Sequence, residues 1–486
     1  MDALPTKISL AERLSAITGL EYQIVWKVVF YSLSVILGWQ LVQYLRLVFR
    51  SDLKHIPGPR WARLTAFWRP WVLRKGEAPE IYCDLHQKYG PLVRTAPGVV
   101  SVSDPKAIPI IYGIGTKFYK SMFYSIFDVA YQGTWMSSMF SVRDSAQHAA
   151  LRRPVAQKFS MSSMKALEPF ADECNEIFIN AMKELEGQKV DLSTWLQWYA
   201  FDVISAITFH RRFGFMEERR DVENMIEDIS QGLVAAAAVS QVPGLHPWLM
   251  GSSWLPKLLA AQPFFRAPDP LRTVVRFTED CIAEYDRNPP SADRPDFMSW
   301  LRQVNIKGET MSDPDFVNHL SNNLLAGSDT TAISLRAVLY FLVQNPECYR
   351  KAQAEVDEAD NAGKLSACVS YAECLQLPYL QAVMKEAMRC HPGVSYPLER
   401  VVPRGGADIG GVHLMEGTIV GVNPAVIHRD TSIFGDDALS FSPERWLTGD
   451  EERTKFMDRH LMTNLHREKH LDYGDGKTHS AALASL

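Results

Sequence analysis

Residues 28–45, VVFYSLSVILGWQLVQYL, run without a charged side chain, and Ile24, Val25 and Trp26 carry the apolar pattern back past Lys27. A run of this length approaches the ~20 residues that cross a bilayer core. The pattern predicts a single membrane-anchoring helix over 23–47, preceded by a short segment, 1–22. Arg46, Arg50, Lys54, Arg60 and Arg63 follow it against the single Asp52, which places the remainder of the chain on the cytosolic side. The run begins beyond residue 20 and lacks a small-residue cleavage site, so a removable signal peptide is not expected.

Beyond the anchor the periodicity changes. HIPGPR (55–60) cannot continue a helix and stiffens the exit from the membrane. PLVRTAPGVVSVSDP (91–105) alternates β-formers around Pro97-Gly98 and reads as a hairpin. From about residue 145 to 390 the apolar spacing is helical, with breaks at Pro243, Pro247, Pro256 and Pro289-Pro290. Residues 397–425 hold turn glycines and short β-like runs such as HLMEGTIVGV. No repeat or linker divides the chain. The prediction is one mainly α domain with small β-sheets over 48–462.

The longest helical pattern spans 313–344. Ser312 or Asp313 can cap it, Pro314 suits its first turn, and Asn345-Pro346 stops it. At ~1.5 Å per residue such a helix crosses a whole domain. Its centre reads Ala326-Gly327-Ser328-Asp329-Thr330-Thr331, poor helix formers whose threonine hydroxyls can capture backbone carbonyls and open the helix locally. A solvent-facing polar patch would explain these residues, but NLLA and AISLRAVLYFLV on either side argue that the helix is buried.

Composition narrows the class only a little. The apolar fraction of 47% and charged fraction of 22% suit a folded protein. A net charge of −5 gives no reason to expect nucleic acid as a partner. Cys83, Cys174, Cys281, Cys348, Cys368, Cys374 and Cys390 are scattered, odd in number and without zinc-like spacing, which fits a reducing compartment.

Downstream stand Glu386-Ala387-Met388-Arg389, whose charged pair shares one helix face, and Phe441-Ser442-Pro443-Glu444-Arg445-Trp446, a turn presenting another arginine. An AGxDTT-type helix, then ExxR, then PERW, behind an apolar anchor and a Pro-Gly-Pro hinge, resembles the microsomal cytochromes P-450, the haem-thiolate monooxygenases. The flavour is that of fungal secondary-metabolism members such as pisatin demethylase. The resemblance covers residues from about 23 to 462.

It implies the cytochrome P-450 fold and a set of roles. Thr330 with Asp329 would relay protons to the oxygen being activated, and Gly327 would leave room for oxygen beside the helix. Glu386, Arg389 and Arg445 would lock into a buried ionic triad. His148 and Arg152, in HAALRR, and Arg400, in PLERVVP, would hold the haem propionates, a task that suits arginine's fixed donor fork. Phe118, Tyr119, Phe123, Tyr124, Phe127, Tyr131 and Trp135 lie where the family places its lid, and 234–256 where it places an access channel. Core packing accounts equally well for any one of these residues; together they favour a lipophilic substrate. The resemblance further implies heme b, electrons from NADPH through a reductase, insertion of one oxygen atom of O2, and the endoplasmic-reticulum membrane.

One element is missing. The family needs a thiolate in a loop of the form FxxGxRxCxG, about twenty to thirty residues past PERW, because thiolate donation makes its chemistry possible. No cysteine follows Cys390, and residues 462–486 read MTNLHREKHLDYGDGKTHSAALASL. Back-translated and read one nucleotide later, Leu465-His466 can give cysteine, His466-Arg467 isoleucine and Arg467-Glu468 glycine. Allowed codons spell RTCIG(R/K)NISIMEMGKLIPQLL, close to the family's cysteine loop and following helix. A frame junction at Met462–Thr463 is therefore expected, with 463–486 an aberrant tail and the axial cysteine lost after Met462. The rival reading is a catalytically dead, membrane-tethered relative that binds a ligand or partner.

Overall fold

The computed structural model describes residues 10–132, 134–242, 270–289, 296–306 and 309–463, and its contacts divide the chain into two units at Ile56/Pro57. The first unit is dominated by α1 (Leu10–Val48), a single helix. α1 includes residues 10–22 as well as the expected anchor span. Among the described residues, Trp26–Val48 is the one span long and apolar enough to cross a bilayer, at 23 residues and a mean hydropathy of 1.5.

The second unit is mainly helical, with small sheets. Leu92–Ala96 (β1) and Val99–Val102 (β2) form the expected hairpin, pairing Leu92 with Val102 and Val93 with Ser101. Gly98 supplies the positive φ of the turn between them, +77°. Both strands are buried at every position, and the helices over residues 60–64, 68–74 and 78–89 pack against β1. Short strands follow at Tyr119–Lys120 (β3), Val129–Tyr131 (β4), Thr134–Met136 (β5), Asn305–Ile306 (β6), Glu309–Thr310 (β7), Arg400–Val401 (β8), Ala407–Ile409 (β9), Val412–Leu414 (β10) and Ile419–Val422 (β11). The main sheet runs β1-β2-β11-β8-β3, and it sets Lys120 opposite Arg400.

The helical half is built around two long helices. Beyond α2 (Ser145–Arg152), α3 (Leu192–Phe209) is buried at twelve positions, including Phe201, Ile204 and Thr208. After α4 (Pro270–Arg287) comes α5 (Asp313–Gln344), with the bounds its capping residues predict. The Ser312 side chain accepts from the Asp315 amide at its start, and Asn345 ends it before Pro346. α5 packs most extensively against α3, burying Phe316, Leu320, Leu324 and Gly327 at spacings of four, four and three residues. Polar pairs fix its rotation: Asn323 Nδ2 donates to Thr208 Oγ1 at 2.7 Å, and Ser321 Oγ to Thr278 Oγ1 of α4 at 3.1 Å.

Two expectations meet the structure differently. Thr330 Oγ1 does bond the Ala326 carbonyl, at 2.7 Å, but α5 runs unbroken through this region. The hydroxyl shares an acceptor already in the helical ladder, so no opening results. The proposed access channel over 234–256 falls partly in α-helix up to Ser240, and its remainder from residue 243, with Pro243, Pro247 and Pro256, lies outside the described residues.

Candidate active site

The ExxR pair sits on α6 (Pro378–Cys390), started by Pro378 in its first turn. Three residues apart, Glu386 and Arg389 face the same way and meet in a bidentate pair: Arg389 Nε donates to Glu386 Oε2 at 2.9 Å and Nη2 to Oε1 at 2.7 Å. Arg445, from the short PERW turn Pro443–Trp446, donates its Nε to Glu386 Oε1 at 2.9 Å. All three side chains are buried, so the structure brings the expected triad together. It also adds partners that the motifs do not announce. Trp446 Nε1 donates to Glu386 Oε2 at 2.9 Å and the Ser442 amide to Oε1 at 3.0 Å. Asp437 takes both terminal nitrogens of Arg445, at 2.8 and 3.0 Å. Arg389 further donates to the carbonyls of His428, Ala438 and Ser440 at 2.7, 2.6 and 2.8 Å. Burial opposes the charge on Arg389, yet Glu386 outweighs it and raises its pKa.

On α5, Ala326 and Thr330 are exposed, one turn apart on one open face, whereas Gly327 is buried on another. A Cβ at Gly327 would lie 2.6 Å from Cδ1 and 2.7 Å from Cγ1 of Ile204. This glycine therefore lets α3 approach α5. The space at Gly327 is thus taken up by α3, while Ala326, one turn before Thr330, is exposed with it. Gly327→Val should lower stability by about 1–3 kcal/mol through overpacking. Ile204→Ala in that background should return part of the loss. Unfolding midpoints in urea check this, and an unchanged midpoint for Gly327→Val would remove the packing role.

Asp329 faces α3. Gln197 Nε2 donates to its Oδ1 at 3.0 Å, and Gln197 Oε1 accepts from Arg336 Nη2 at 2.6 Å. Arg336 is itself anchored on the Ser193 carbonyl at 2.9 and 2.7 Å. Burial raises the Asp329 pKa, opposed by the Gln197 bond and by Arg336. Asp329 thus lies at the inner end of a polar chain leading along α3 to Arg336, a route absent from the motif reading. Gln197 stands among apolar residues of α3, and only the α3–α5 packing reveals its role.

Arg400, in β8, is buried between Tyr112 and Tyr124, 5.1 and 5.5 Å from their ring centroids, and its Nη1 donates to Tyr124 Oη at 2.9 Å. Its neighbour Glu399 is buried too, paired with Arg69 and accepting from Ser121 Oγ at 2.5 Å. His148 and Arg152 lie on α2, half-buried. Just before α2, Arg143 donates to the Lys120 carbonyl at 3.1 Å, and Lys120 pairs with Arg400, so this end of the helix is tied to the sheet that carries Arg400. Of the expected lid residues, Phe123, Tyr124 and Phe127 join Phe140 in edge-to-face or tilted ring contacts at 5.2 to 6.1 Å.

These residues fit a haem in part. The open face of Ala326 and Thr330 and the buried Arg400 match what such a group needs on one face and at its acidic edge. No axial thiolate stands among the described residues. Cys390 is no substitute: its sulfur accepts from Arg389 Nη2 at 3.2 Å, and burial pushes its thiol up to about 11, away from the thiolate form. His460 and the other side chains of the tail cannot replace it, since imidazole donates too weakly for thiolate chemistry.

Comparison with known proteins brings these elements together. The family profile described as cytochrome P-450 matches residues 56–478, a span that runs past Met462 into the cysteine-free segment. A cytochrome P-450 monooxygenase of Aspergillus terreus is 36% identical over 438 residues, covering 87% of this chain and 85% of the relative. The monooxygenase cicH of Emericella nidulans is 36% identical over 421 residues, with coverages of 85% and 82%. The monooxygenase gsfF of Penicillium aethiopicum is 34% identical over 436 residues, with coverages of 88% and 85%.

Proposed function

The chain belongs to the cytochrome P-450 monooxygenase family, and from that premise we propose that its gene encodes an oxygenase that inserts one atom of O2 into a lipophilic small molecule of fungal secondary metabolism. The observation that carries this reading is the coexistence of two intact assemblies: the buried Glu386–Arg389–Arg445 cluster and the Ala326–Thr330 face, with Asp329 beside it. A chain long released from catalysis would keep the first for folding but has no structural need of the second. The aromatic cluster of Phe123, Tyr124, Phe127 and Phe140 supports an apolar substrate. Heme b would supply the oxidising chemistry, with electrons from NADPH through a reductase. On the protein side, Arg400 with His148 and Arg152 would bind its propionates, and Thr330 Oγ1 and the Asp329 carboxyl would move protons.

A second reading is favoured by one observation, the absence of any cysteine after Cys390. With residues 463–486 as they stand the polypeptide is catalytically silent, and the oxygenase belongs to the frame that restores the cysteine. In a chain carrying the restored loop, Thr330→Ala should lower the product formed per NADPH by about tenfold or more, with peroxide released. Unchanged coupling would leave Thr330 without a part in proton movement.

Membrane attachment at the endoplasmic reticulum, with the catalytic domain in the cytosol, rests on α1 and the basic residues that follow it. Deleting residues 1–46 should move roughly half or more of the protein out of the membrane fraction, because the apolar span is the main source of affinity. A full-length protein that fractionates as soluble without detergent would end the anchor reading.

A further inference from the structure

His428 closes the short helix α7 (Pro424–Ile427) and is wholly buried. Its ring nitrogens have two partners of opposite kind. Nδ1 lies 3.0 Å from the Arg389 carbonyl, which can only accept. Nε2 lies 2.8 Å from the Met462 amide, which can only donate. The pair dictates the tautomer: the proton sits on Nδ1 and the lone pair on Nε2, the minor form of free histidine in water. The backbone reciprocates, since Arg389 Nη1 donates to the His428 carbonyl at 2.7 Å. Phe434 covers the ring edge-on at 6.0 Å.

Met462 is the point where the chain leaves α8 (Glu451–His460) and is the last residue before the segment that should carry the axial ligand. On the other side of the ring stands Arg389, held by Glu386. We infer that His428 is a positioning residue: its neutral imidazole bridges the Arg389 carbonyl to the Met462 amide and sets the register in which the ligand loop departs from the buried ion cluster. The inference rests on the oxygenase reading for its purpose, while the bridge itself is open to test in the chain as it stands. Burial agrees with the neutral form, pushing the imidazole down to about 3. A protonated ring would set an N–H against the Met462 N–H.

Two measurements on the full chain decide the point. Hydrogen exchange followed by mass spectrometry should find the Met462 amide protected. His428→Phe should speed its exchange about tenfold or more while amides of α6 keep their protection, and His428→Gln, whose side-chain oxygen reaches the Nε2 position, should slow it again. Nitrogen-15 shifts of the His428 ring, assigned by difference from His428→Gln, should report the Nδ1–H tautomer even if His428→Phe fails to fold. An Nε2–H tautomer, or Met462 exchange indifferent to both substitutions, overturns the inference. In a loop-restored chain, His428→Phe should shift the reduced, carbon-monoxide-bound absorbance away from the thiolate type at unchanged haem content, with His428→Gln restoring it. Loss of the thiolate spectrum in the loop-restored parent, with the bridge intact by exchange, would count against the oxygenase reading and leave the bridge standing.

Discussion

Glu386→Ala should remove a large part of the stability of the fold. The Glu386 carboxylate accepts from Arg389 twice, from Arg445, from the Ser442 amide and from the Trp446 indole, at 2.7 to 3.0 Å. Its removal leaves two buried guanidinium groups without their shared counter-charge. Both keep other acceptors, carbonyls for Arg389 and Asp437 for Arg445, so the loss falls short of a full desolvation penalty. Breaking a buried pair by removing one partner costs ~3–5 kcal/mol. Against a total stability of ~5–15 kcal/mol, that is a large fraction. The contrast sits two residues from Ser442: Glu444 pairs with Lys351 at 2.7 Å in partial exposure, and Glu444→Ala should cost under ~1 kcal/mol. Soluble yield and urea midpoints measured side by side check both. Equal losses from the two substitutions would reduce the triad to a surface pair.

How much of this was legible in the sequence depends on how local each feature is. The bounds of α5 follow from Ser312, Pro314, Asn345 and Pro346, all within a few residues of the ends they determine. The β1–β2 hairpin follows equally from Pro97-Gly98 between alternating β-formers. The triad arginines were legible because motif order carries them. Trp446 and Asp437 were not, since nothing in spacing brings an indole or a carboxylate to Glu386 across the fold. The contact of Gly327 with Ile204 is not legible, because spacing along α5 does not say which helix packs against it. Gln197 and His428 stayed hidden because each acts through residues more than thirty positions away, Asp329 and Arg336 for one, Arg389 and Met462 for the other.

The 486-residue chain should give no thiolate-type haem spectrum and no turnover. No cysteine follows Cys390, and Cys390 itself is bonded to Arg389. The expected deficit is complete, because an imidazole or water ligand cannot supply thiolate donation. Replacing residues 463–486 by the missing loop residues and the shifted-frame translation should restore the spectrum. It should also raise stability, since the helix that follows the cysteine in the shifted frame would then pack behind the haem. A thiolate spectrum from the chain as it stands would contradict this.

The most direct test is at the level of nucleotides. Sequencing the genomic DNA and transcript that encode residues 455–486 reads the shifted frame without expression, folding or cofactor loading. One nucleotide later, the codons of Leu465 and His466 should yield TGC within a frame spelling RTCIG(R/K)NISIMEMGKLIPQLL. A shifted frame with no cysteine codon at that place, or one soon closed by a stop, would contradict it.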